Sequence, residues 1–102
     1  MIIYNVTCNV EKEIIQDWIQ WMIEIHIPDV MQAGFFLEAN INKVISSNDA
    51  GNTYAIAYSC ESMKKLHEYQ IKFSAELQKK HMERYGEKVV AFRTILELIR
   101  KF

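Results

Sequence analysis

Residues 46–66, SSNDAGNTYAIAYSCESMKKL, hold a turn, a strand and a helix start within 21 positions. Asn, Asp and Gly tolerate positive φ, so SSNDAGN predicts a hairpin turn. TYAIAYSC alternates, with Tyr54, Ile56, Tyr58 and Cys60 on one face, as in a half-buried strand. Ser62 is a good N-cap, and the period then changes to that of a helix. Leu66, Phe73 and Leu77, flanked by Met63, make the predicted core stripe of this helix, which Gly86 stops. A hairpin therefore joins two strands, and the second runs directly into a helix.

The flanking sequence completes the pattern. Residues 2–10 alternate, with Ile2, Tyr4, Val6, Cys8 and Val10 opposed to Asn5, Thr7 and Asn9. A helical period follows from about Glu11 to Ile27, with Ile14, Ile15, Trp18, Met22 and Ile25 on its apolar side. Pro28 predicts a break or kink there, with Asp29–Ala33 as a last turn closed by Gly34. Residues 35–46 alternate again, Phe35, Leu37, Ala39 and Ile41 opposing Glu38, Asn40 and Asn42. In VVAFRTILELI the bulkier set, Val90, Phe92, Leu96 and Leu98, is assigned to the core.

The order βαββαβ is the ferredoxin-like split βαβ arrangement, an α+β fold in one domain spanning residues 1–102. Right-handed crossovers predict a four-stranded antiparallel sheet of order 4-1-3-2 with both helices on one face. The opposite face is expected to carry Ile3, Phe36, Val44 and Ile95 as an apolar patch, together with Arg93 and several polar residues. Such a patch predicts a homodimer through the open sheet face. Arg93 would then need a carboxylate, Glu38 or Glu97, or a ligand anion.

Twelve basic residues balance thirteen acidic ones, and no like-charge run exceeds two, which argues against nucleic acid or an anionic membrane surface as partner. No segment reaches the roughly 20 apolar residues of a membrane span. Without a basic n-region the N-terminal segment reads as a strand rather than a signal peptide, so the expected compartment is cytoplasmic and Cys8 and Cys60 are expected as free core thiols. Metal-ligand spacings, phosphate loops and nucleophile elbows are absent, so no metal and no cofactor are expected.

His26 is the best candidate for acid–base chemistry, since imidazole titrates near neutral pH. It equally suits a role capping the last carbonyls of the first helix. Trp18 is read as core and Trp21 as a possible cleft wall. Tyr4, Tyr54 and Tyr58 should face the helices, where buried phenols need partners or a polar-edged cavity. With Arg93, these residues are the candidate contacts for a small planar, aromatic ligand. His67 and His81 are read as solvated or rim residues.

MIIYNVT, WIQWMIEIHIPDVMQAGFF, TYAIAY and VVAFRTILEL resemble a bacterial domain-of-unknown-function family, DUF4286, over nearly the whole chain. This resemblance implies a small stand-alone protein with no assigned activity. More distantly the architecture is similar to the dimeric α+β barrel group, which includes cofactor-free monooxygenases, cyclases and mutarotases. Several of its members carry a histidine near the end of the first helix beside a cavity, a position His26 approximately matches. Three readings follow: a homodimeric small-molecule-binding barrel; a cofactor-free monooxygenase, isomerase or cyclase using His26; and a structural or partner-binding module.

Overall fold

The computed structural model describes residues 1–46 and 51–102. Four strands, β1 (Ile2–Val10), β2 (Glu38–Lys43), β3 (Thr53–Cys60) and β4 (Val89–Glu97), form one antiparallel sheet in the order β2-β3-β1-β4. This is the expected 4-1-3-2 topology. The predicted turn between β2 and β3 falls largely on residues 47–50, outside the described residues. Gly51, at its end, has φ +85°.

Two long helices cover one face. The first, α1 (residues 15–32), does not end at Pro28. An α-helical segment, Ile15–Trp21, passes into a π-turn, Met22–His26, and resumes as Ile27–Gln32. The Ile27 N–H bonds to the Met22 carbonyl, five residues back. Pro28 falls in the first turn of the resumed segment, where a missing N–H costs little. Gly34, at φ +86°, then turns the chain out of the helix.

The second helix, α2 (residues 63–85), has the same design: Met63–Tyr69, a π-turn Gln70–Ser74, then Ala75–Tyr85. Ser62 caps it as expected, its hydroxyl accepting from the Lys65 N–H at 3.3 Å. Gly86, at φ +57°, ends it.

Each π-turn holds one extra residue and advances the inward stripe by one position. In α1 the buried side chains are Trp18, Trp21, Met22 and Val30, the last two eight residues apart rather than seven. In α2 Leu66 and Ser74 are likewise buried eight apart. Two expectations are corrected by this shift. Ile25 and Phe73, assigned to the core by a regular period, are 48% and 39% exposed, while Ser74 turns inward; Tyr69 and Tyr85, regularly spaced from Leu66 and Leu77, are buried as well.

The register of β4 overturns another expectation. Val10 lies opposite Val89, Cys8 opposite Ala91 and Val6 opposite Arg93. Val89, Ala91 and Arg93 therefore share the helix-facing side with Tyr4, Val6 and Cys8. The bulkier Val90, Phe92 and Leu96 face away and are exposed. At the entry to β2, Phe36 is buried and Leu37 exposed, the reverse of the expected faces, because regular pairing begins only at Glu38. Phe36 packs against Tyr58 and Tyr69 at 5.1 and 4.8 Å between ring centres. The open-face apolar patch exists, but Ile3, Val90, Phe92 and Leu96 compose it rather than Phe36 and Ile95.

Candidate functional site

Between the sheet and the two helices lies a cavity of about 210 Å³. Tyr4, Val6 and Cys8 from β1, Ile56 and Tyr58 from β3, and Val89, Ala91 and Arg93 from β4 form its floor. Met22, His26 and Val30 close it from α1, and Tyr69, Ser74, Leu77 and His81 from α2. Gln78, Met82 and Arg93 also line it and are exposed, so solvent reaches this end.

The π-turns place the polar groups. His26 is the last residue of the first turn and Ser74 the last of the second, and both line the cavity. Because α1 continues past it, His26 does not cap the helix end. Its imidazole stacks on the buried Trp21 indole, ring centres 5.1 Å apart, and meets His81 edge-on at 5.9 Å. No hydrogen bond from a described protein group occupies the His26 ring nitrogens, so its polar edge is available to a bound molecule.

His81, read from the sequence as a solvated or rim residue, is part of this cluster. Trp18 Nε1 donates to His81 Nε2 at 3.0 Å, which fixes that nitrogen as an acceptor and puts the proton of the neutral ring on Nδ1. The signal was its place on the inward stripe, four residues after Leu77 and four before Tyr85. Trp21 and Tyr85 pack around it. Outside this cluster, Tyr85 donates to Asp17 Oδ2 at 2.8 Å, and Arg84 covers the Trp21 ring.

Burial sets the protonation of the lining. It pushes His26 down to about 4, with His81 and Arg93 acting in the same direction and Asp29 opposing. Burial and the Arg93 charge also lower His81. Burial pushes the Cys8 thiol up to about 11 and Tyr69 to about 12, and raises Tyr58 as well. At neutral pH the lining thus presents neutral imidazoles at His26 and His81, protonated phenols at Tyr58 and Tyr69, and one formal charge, Arg93.

Of the expected ligand contacts, Tyr4, Tyr58, Arg93 and His26 meet at the cavity. Trp21 does not line it but backs His26. Tyr54 points elsewhere, packing on Trp18 at 5.5 Å with its hydroxyl donating to the Gly51 carbonyl. Arg93 lies on the helix-facing side rather than the open side. Among the described residues no carboxylate pairs with it, neither Glu38 nor Glu97. Nor does any cluster of His, Cys, Asp and Glu there suit a metal ion.

No curated protein matches the chain. Solved structures share its fold at low identity. A dimeric ferredoxin-like protein from an uncultured marine organism superposes with a TM-score of 0.76 at 10% identity, over 99% of this chain and 96% of that one. An EthD-family (ethyl tert-butyl ether) protein of Bacillus halodurans gives 0.74 at 12%, over 97% and 100%. An antibiotic biosynthesis monooxygenase gives 0.69 at 9%, over 98% and 100%. At such identities the likeness establishes the ferredoxin-like fold. The family profile of DUF4286 matches residues 1–99, and the chain belongs to that family.

Proposed function

We propose that the protein is a homodimer, paired through its open sheet faces, each subunit of which binds a small organic molecule between helices and sheet. The cavity carries this reading. Its volume of about 210 Å³ matches a ligand of one or two rings, its walls are largely apolar, and the hydrogen-bonding edge of His26 is unspent. Tyr4, Tyr58 and Tyr69 supply aromatic walls with phenol donors. Exposed Val90, Phe92 and Leu96 on the opposite face supply an apolar surface for a second copy. A two-dimensional NMR screen of aromatic fragments tests the cavity. Shifts confined to residues around His26, Tyr58 and His81 are expected, and no such shifts from any fragment would reject it.

A cofactor-free enzyme using His26 as acid–base is the second reading, to which the monooxygenase name of one structural relative lends support. The neutral His26 edge at the cavity favours it. Its acidity weighs against it. A pKa of about 4 leaves roughly one imidazole in a thousand protonated at pH 7 and makes a weak base, whereas acid–base catalysis works best near the operating pH. Turnover would require a bound group that raises this value.

A further inference from the structure

The charge balance of the cavity narrows its ligand, and this step rests on the small-molecule reading above. Among the described residues no Asp or Glu lines the cavity, and Arg93 is its single formal charge. Arg93 stands at the solvent-reached end of this apolar cavity with no ion-pair partner among the described residues, so its guanidinium is open to an anion that enters there. Arg93 sits opposite Val6 in the β1–β4 register, and its charge is felt by groups on three elements: His26, His81 and Tyr69 on the helices, and Cys8 on β1.

We propose that the cavity takes a small organic anion, an aromatic carboxylate or the like, with its charged end at Arg93 beside His26 and His81 and its ring among Tyr4, Tyr58 and Tyr69. The guanidinium offers a planar fork that matches a carboxylate in two parallel hydrogen bonds. His81 contributes its Nδ1–H, because Trp18 already occupies Nε2. The phenols are donors, not anions, so none of the lining repels the ligand. Asp29 is the one acidic side chain whose charge reaches His26, and it does not line the cavity. Bound negative charge beside His26 offsets the lowering by Arg93 and His81, so binding draws a proton toward this ring.

Matched pairs of probes test this. Benzoate and benzamide, and indole-3-acetate and indole-3-acetamide, differ in charge but hardly in shape, and their Kd values for the whole protein follow from calorimetry or NMR titration. A charge-assisted contact predicts that each carboxylate binds roughly 10- to 100-fold tighter than its amide. Arg93→Gln should abolish that preference, and Arg93→Lys should keep part of it. Arg93 is exposed on an edge strand, so both variants should fold, with circular dichroism as the check. If the amides bind as well as the carboxylates, or Arg93→Gln keeps the preference, the anion proposal is overturned while the cavity reading stands. If no member of either pair binds, both readings fall together.

Discussion

Acidification should destabilise this protein through His26. The ordinary histidine pKa is about 6.5, which holds in the unfolded chain, and folding lowers it to about 4. Between those values the unfolded state binds more protons than the folded one. The stabilisation linked to His26 is therefore fully present above about pH 6.5 and is lost as pH falls toward 4. Integrating the two titrations gives a loss of about 2 kcal/mol by pH 5 and about 3 kcal/mol below pH 4. For a domain of this size that moves the urea midpoint by roughly 1 to 2 M. Carboxylates titrate in the same range, so the measurement is a difference: urea unfolding of wild-type protein and of His26→Gln, at fixed concentration, from pH 8 to pH 4.5. The wild-type curve should fall more steeply, the gap between the two changing by about 2 kcal/mol between pH 8 and pH 5. Parallel curves would mean that His26 titrates normally when folded, and the desolvated, cation-flanked environment argued for it would be wrong.

Other expectations are quicker to check. Leu66→Ala, at a fully buried position, should cost about 2–5 kcal/mol, and Phe73→Ala well under half of that, because the π-turn swings residue 73 to the rim; equal losses in denaturant titrations would refute the shifted stripe. Phe92→Glu, on the open sheet face, should convert a dimer into a single-chain species by sedimentation or light scattering without loss of helical signal. An unchanged mass would show that Phe92 lies outside the interface. Cys8 and Cys60, both buried with raised thiol pKa values, should react with a disulfide reagent at pH 8 more than about 100-fold slower in the native protein than in urea. Ser62→Ala should cost about 1 kcal/mol of stability through loss of the α2 cap.

The element order and sheet topology were legible because their signals are local. Alternation marks β1 and β3, Ser62 and Gly86 bracket α2, and βαββαβ with right-handed crossovers leaves one strand order. Faces were harder to read where both sides of a strand are apolar. In β4, Val89 and Ala91 compete with Val90 and Phe92, and bulk favours the wrong set. Pairing with β1 decides the matter, and it turns Arg93 toward the helices. Arg93 was thus singled out for its unpaired charge but assigned to the opposite side of the sheet. The helices misled for a different reason. A 3.6-residue period carried across a π-turn slips by one position, which put Ile25 and Phe73 inside and left Ser74 out, whereas His81, regularly spaced from Leu77, was missed because its polar ring among charged neighbours reads as a solvated face. For His26 the local sequence left two roles open, a helix cap and a cavity contact; the π-turn that carries α1 on past it removes the first and leaves its ring on the cavity wall.

The two π-turns have a consequence for how such proteins vary. Removing one residue from Met22–His26 would leave the hydrophobic content of α1 almost unchanged and produce an ordinary α-helix, intrinsically easier to form. It would also rotate every side chain after the deletion by one position, carrying His26 off the cavity wall and bringing residues now in solvent toward the sheet. The same holds for Gln70–Ser74 and His81. Among relatives of this chain, residue-for-residue alignment of the helices is therefore meaningful only between members that keep both insertions. A gap of one in either helix is worth more than several substitutions, because it exchanges the entire set of groups that the helix presents to the site.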